Sequence, residues 1–246
     1  MTKLIALNNK IHSMLKISTE KSESHGEKLS TVPVMLSEFL RLAVQFPILL
    51  NKNKETGQFV CVSMLGLFER ENLFWINNHF DALYKPLHIA RQPFFLGLDD
   101  DKNEGQYLVC FDAESESIQA SSGEALFDAE GKETAYLQKM QAILAELLAG
   151  EKKIKAFVDK LVALNLLQAM RMDINFNNGE SHKINGMYTI DESQLKTLPA
   201  DTIAELHSLD YLSYIYIMIA SMGQIHALVQ RKNQRLEFSK KSLKAS

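Results

Sequence analysis

Apolar residues recur at helical spacing in 35–46, at Leu36, Phe39, Leu40, Ala43 and Val44, and Pro47 follows. A proline disfavours the αR conformation in the residue before it, so a short amphipathic helix feeding a strand at 47–50 is predicted. The polar turn NKNKETG, the run 58–68, the break ERE and the run 72–76 read as strands of an antiparallel meander, with Gly57 marking a turn and Gly66 a bulge. In YKPLHIARQPFFLGL, Pro86 and Pro93 argue against a long helix or a central strand, leaving irregular, aromatic-rich chain. DDDKNEG predicts a turn, 106–112 a further strand, and ESESIQASSGEALFDAEGK mostly loop.

The second half changes period. Tyr136, Leu137, Met140, Ile143, Leu144, Leu147 and Leu148 form a helical stripe that Gly150 is expected to stop as a C-cap, and Ile154, Phe157, Val158, Leu161 and Val162 form another ending near Asn165. An antiparallel helix pair is the expectation. Met170, Met172, Ile174 and Phe176 alternate, Asn178-Gly179 signals a hairpin, and 184–190 returns. Asp191 caps a helical turn through 193–198, Pro199 and Asp201 open a helix to His207, and a last long helix is expected over 210–231 with Gly223 tolerated inside it. Together these predict an α+β fold: a β-rich N-terminal half with an antiparallel meander, then a helical pair, a β-hairpin and a long terminal helix. The divisions expected are 1–31 (strand and polar linker), 32–130 (β-rich half), 131–232 (helical half with the hairpin) and 233–246 (basic tail), with 32–232 also readable as one continuous domain.

Composition narrows the class. With 246 residues, 46% hydrophobic and 23% charged, disordered, collagen-like and disulfide-scaffold proteins are excluded. A net charge of −3 supplies no broad field for polyanions, although 231–246 carries six Lys/Arg against one Glu. That stretch reads as a basic arm for nucleic acid or anionic lipid, or as a solvated, fraying terminus, and the second reading is preferred. No secretory signal is read in MTKLIALNNKIHSMLKI, and the most apolar stretch, 211–222, falls short of the roughly 20 apolar residues of a spanning helix. A cytoplasmic protein without a membrane span or nucleic-acid partner is expected. Cys61 and Cys110 each lie in an apolar strand-like run, which suits reduced, buried thiols.

Chemistry-bearing motifs are sparse. His79-Phe80-Asp81 offers two ligands of a 2-His-1-carboxylate iron site, with His88, His182, His207 or His226 as third. Against that, Asn77-Asn78 suggests a hairpin turn, and neither a metal nor a cofactor is expected. No G-x-S-x-G elbow and no glycine-rich phosphate cradle occurs, and Asp99-Asp100-Asp101 lacks the ligand spacing of an EF-hand. The densest recognition-type cluster runs over 74–95. Trp75, Tyr84, Arg91, Phe94 and Phe95 have the residue types of a peptide- or protein-binding groove, since rigid rings bury area at low entropy cost and Arg reads carboxylates. The other reading is that the rings plug the core beneath a loop, with Arg91 capping a carboxylate such as Asp112. Tyr211, Tyr214 and Tyr216 read as core or dimer seam, and the oligomeric state stays open.

Several blocks resemble the SapC family of bacterial proteins over nearly the whole chain: Glu38-Phe39 with Phe46-Pro47-Ile48, Leu65-Gly66-Leu67 with Asn72-Leu73-Phe74, and Tyr84-x-Pro86 through Arg91-x-Pro93-Phe94. Further blocks are Gly123-Glu124-Ala125-Leu126-Phe127-Asp128 with Gly131, Tyr136-Leu137-Gln138, Gly186-x-Tyr188-x-Ile190-Asp191-Glu192 with Leu198-Pro199, and Ala220-Ser221-Met222-Gly223-Gln224. The resemblance implies a link to an S-layer gene region. It also implies accessory proteins encoded beside TonB-dependent receptors, flavin-dependent halogenase-like enzymes and iron/2-oxoglutarate or cupin-type oxygenases. No catalytic residue set carries over, so a non-catalytic accessory protein binding a peptide or protein partner is expected. The alternatives are a substrate-binding subunit assisting such a halogenase or oxygenase, and an S-layer-associated structural protein.

Overall fold

The Asn178-Gly179 signal is realised as a hairpin of Leu167–Asn175 and Ser181–Ile190. Phe176 N–H donates to Glu180 O at 2.9 Å, and Gly179, at φ 88°, donates to Phe176 O at 3.0 Å. The loop is therefore the three-residue kind whose last position is left-handed and suits glycine. The hairpin's second strand also pairs with Ile48–Lys52, placing Met187 opposite Asn51 and Tyr188 opposite Leu50. Strands from the two halves of the sequence thus share one sheet.

The computed structural model describes residues 3–19, 24–98, 107–119 and 122–245; the predicted turn DDDKNEG and its acidic triplet lie outside them. Along the chain the strands are β1 (Leu4–Ala6), β2 (Lys16–Ile17), β3 (Thr31–Pro33), β4 (Ile48–Lys52), β5 (Phe59–Met64), β6 (Trp75–Ile76), β7 (His79–Phe80), β8 (Phe94–Leu98), β9 (Tyr107–Asp112), β10 (Ile118–Gln119), β11 (Glu124–Ala125), β12 (Leu167–Asn175) and β13 (Ser181–Ile190). The fold is α+β, and it divides into two compact units built from interleaved segments: 1–27, 75–81 and 87–149 in one, 28–74, 82–86 and 150–246 in the other. The run 72–76, expected as a strand, pairs only at Trp75–Ile76.

The first unit holds the antiparallel sheet β1-β9-β8 and the small sheet β10-β2-β11. Its core is Ile17, Phe94, Phe111, Leu126, Phe127, Leu137, Met140 and Leu144. The second holds the antiparallel sheet β12-β13-β4-β5-β3. Against it pack the helices, with Phe39 meeting Phe157 and Tyr214 edge-on at 6.2 and 5.7 Å, and Tyr211 meeting Phe157 at 5.2 Å. Tyr211 and Tyr214 are thus core contacts, whereas Tyr216 is exposed. Ser221 joins helix to sheet: its Oγ accepts from Ile48 N–H at 2.9 Å and donates to Met218 O at 2.6 Å.

Two expectations about helices are corrected. Ala135–Ala163 is one continuous helix, not an antiparallel pair. Gly150 does not turn left-handed, as a glycine C-cap would. Met35 packs closely over it, since a Cβ at Gly150 would stand 2.9 Å from Met35 Sδ and 3.0 Å from its Cγ. The stop comes later, where Asn165 takes φ 53°, Leu166 N–H reaches back to Leu161 O at 2.9 Å and Asn165 N–H to Val162 O at 3.0 Å, a Schellman end with an Asn in place of glycine.

At the C-terminus the expected single helix is two, Tyr211–Ser221 and Gln224–Ala245. Met222 and Gly223 donate only three residues back, to Ile219 and Ala220 carbonyls, so the turn tightens there. The basic stretch does not fray at its start. Lys232 Nζ meets Glu71 at 2.6 Å, both largely buried, Arg235 Nη2 donates to Asn72 O at 3.1 Å, and the Arg231 guanidinium lies 4.3 Å over Phe74. By length and composition Tyr211–Lys240 is apolar enough to cross a membrane, a test that core helices also pass, and 28% of its apolar window is buried, including Ile215, Met218, Ile225 and Leu228.

Candidate functional site

The aromatic and Arg-rich run is built from a hairpin, a helical turn and a strand. Trp75 pairs with Phe80 and Ile76 with His79 around Asn77-Asn78, whose φ values of 50° and 63° make the twisted two-residue turn that favours asparagine. Trp75 is half-buried, Phe80 is buried, and His79 and Asp81 are exposed. Among the described residues no three His, Cys, Asp or Glu side chains converge as a metal site, so His79 and Asp81 gain no third ligand.

Arg91 turns inward. Its Nη1 donates to Phe94 O at 2.6 Å and its guanidinium stacks 4.1 Å from the Phe95 ring, while Asp112 Oδ1 accepts from the Lys3 and Glu114 N–H groups instead. Burial draws the Arg91 pKa down, and burial together with the Arg91 charge draws His88 down to about 4. His88 is therefore neutral at pH 7, with its buried Nε2 left without a hydrogen-bond partner. Phe94 is fully buried and Phe95 half-buried.

Tyr84 belongs to the second unit. Its hydroxyl donates to Glu38 Oε1 at 3.1 Å and its ring carries the Arg41 guanidinium at 4.5 Å. Glu38 is wholly buried, and its Oε2 accepts from Met35 N–H at 2.9 Å, so each carboxylate oxygen has a partner, as burial demands. Arg91, Phe94 and Phe95 are thus brought together, and Tyr84 is tied to a different cluster.

Sequence reasoning missed an apolar groove of about 830 Å³ in the second unit, between the 151–163 stretch of the long helix and the β5 edge. One helix face supplies Ile154, Val158 and Val162, spaced i, i+4, i+8 and rimmed by Glu151, Lys155 and Asp159; the strand side supplies Phe59, Val60 and Cys61, and Pro33 to Met35 close one end. Val60 and Val162 are 43% and 44% exposed, although Val60 lies in the strand-like run 58–68 and Val162 in the apolar helical stripe. The Lys155–Asp159 pair spans 2.5 Å at the rim, and Lys52 Nζ lies 5.2 Å from the Phe59 ring. Burial pushes the Cys61 thiol up to about 12, so it stays protonated and serves as apolar lining. The groove exists because β3 is shorter than β5: after Val34 N–H bonds Cys61 O at 3.1 Å, the chain leaves the sheet for the 3₁₀ turn Leu36–Glu38.

The SapC family model matches residues 7–228 of the 246-residue chain, a span that contains every groove residue and the whole aromatic run. No curated protein and no solved structure shows significant similarity to the chain.

Proposed function

The chain belongs to the SapC family, and from that premise we propose that it is a non-catalytic accessory protein that captures a peptide or protein partner in a bacterial cell-envelope or peptide-modification system. The observation that carries this reading is the groove beside β5, where half-exposed Val60 and Val162 flank a cavity of about 830 Å³ with a charged rim. An apolar trough with few polar groups suits a ligand that contributes buried area. The protein works in the cytoplasm in this reading, in keeping with Cys61 and Cys110, both free and buried.

The test is capture from native lysate by the wild-type chain and by Val162→Glu, followed by mass spectrometry. A partner retained by the wild type and lost by the variant supports the reading. Equal retention by both moves the partner off the groove and overturns it.

A further inference from the structure

We infer that the groove takes an extended peptide as an added strand, antiparallel to β5 and continuing the line of β3; this rests on the groove being the partner site proposed above. The backbone of β5 alternates. Its even residues face β4, with Gln58 O accepting from Asn53 N–H at 2.8 Å and Met64 N–H donating to Pro47 O at 3.0 Å. Its odd residues face β3, with Cys61 O accepting from Val34 N–H at 3.1 Å and Leu65 N–H donating to Ser30 O at 2.8 Å. By the same alternation the Phe59 N–H and C=O face the β3 side, and there the β3 line has already ended: Leu36, next in register opposite Phe59, opens the 3₁₀ turn Leu36–Glu38, its carbonyl accepting from Phe39 N–H. Among the described residues nothing bonds the Phe59 N–H or C=O on that side, and both open on the groove.

The occupant follows from these groups. A donor and an acceptor from one residue, side by side on a strand edge, are matched together by another polypeptide backbone, the pairing used in β-augmentation. The lining from Glu151 to Ala163 covers about 18 Å of helix, room for about five extended residues at about 3.3 Å each. Alternate side chains of a strand repeat at about 6.6 Å, close to the roughly 6 Å between Ile154, Val158 and Val162 along the helix. The ligand is therefore a short peptide segment with apolar side chains at alternate positions toward the helix and without proline where its amides face β5.

The experiment immobilises the full chain and pans it with a displayed library of random dodecapeptides. The best binder is then synthesised with a single N-methyl group at each amide in turn, and its affinity is measured by fluorescence anisotropy. The inference expects a loss of about tenfold at the single amide that donates to the Phe59 carbonyl and little change at the others, together with an alternating apolar pattern in the selected sequences and slowed exchange of the Phe59 amide on binding. A flat N-methyl response with binding still abolished by Val162→Glu overturns strand addition and leaves the groove reading standing. Binding insensitive to both overturns the two together. A library that yields no binder, or a wild-type dimer that Val162→Glu converts to monomer, shows that the edge is not a peptide site and overturns the inference.

Discussion

The Leu87–Leu98 segment and the β5 groove both set aromatic or apolar side chains beside cations, yet they treat polar groups in opposite ways. In the first, the Arg91 guanidinium is spent on the Phe94 carbonyl and the Phe95 face, and Phe94 fills the core. In the second, a strand edge is left without its neighbour while valines on both walls stay half-exposed. Residue type alone points to the first region as a binding surface. What separates them is whether the groups suited to read a peptide, the guanidinium in one and the strand backbone in the other, are already bonded within the chain, because a satisfied group offers a ligand little while an open edge invites pairing. The other edge of the same sheet sharpens the point. β12 is nine residues long and outermost, but it carries exposed Arg171 and Asp173, a bulge between Met170 and Met172, and a cross-strand Asp173–Lys183 pair at 3.7 Å, features that blunt an edge against pairing.

The largest expected effect breaks the comparison if it fails. Val162→Glu places an unpaired charge in the groove wall and lowers partner affinity about 100-fold. Val162 is 44% exposed, so the melting temperature shifts by no more than about 2 °C. Affinity measured on the captured partner, with a thermal melt of the same sample, checks both halves.

Much of this fold is legible in the chain, and the misses share a cause. The hairpin, the Asp191 cap, whose Oδ1 accepts from Gln194 N–H at 3.0 Å, and the helix over 200–208 follow from local chemistry that needs no partner. Gly150 misled because its role is set by Met35, more than a hundred residues away in sequence, and Gly223 because a tolerated weak point and a break differ only by the packing around them. The groove was illegible for the same reason. Val60 and Val162 carry the pattern of core residues, and what exposes them is the length of β3 against β5, a property of pairing rather than of either segment.

Within the inward-turned region, Arg91→Ala removes the bond to Phe94 O and the stack on Phe95. It is expected to cost about 2 kcal/mol of stability in urea unfolding while partner affinity stays within about threefold of wild type. Loss of capture without loss of stability would restore Arg91 as a ligand-reading residue. His88 adds a pH signature to the same region. Its folded pKa lies at about 4, below its ordinary 6.5, so the unfolded chain binds the extra proton between those values. Stability is therefore full above about pH 6.5 and falls as pH drops toward 4, by on the order of 2 kcal/mol. In His88→Gln that part of the pH dependence disappears, as urea titrations at pH 7 and pH 4.5 will show.

The smallest effect concerns the turn that ends β3 and so keeps the edge open. Glu38 holds that turn through Met35 N–H, and Tyr84 supplies the hydroxyl on its other oxygen. Tyr84→Phe removes one hydrogen bond but keeps the ring under Arg41 and leaves the Met35 bond in place. A stability loss of about 1 kcal/mol is expected, with peptide affinity unchanged within about threefold, since the groove wall is still set by Glu38 and Met35. A stability loss with normal affinity assigns Tyr84 to the scaffold of the open edge. A fall in affinity at unchanged stability would make it part of the recognition surface and erase the division between satisfied and open regions drawn here.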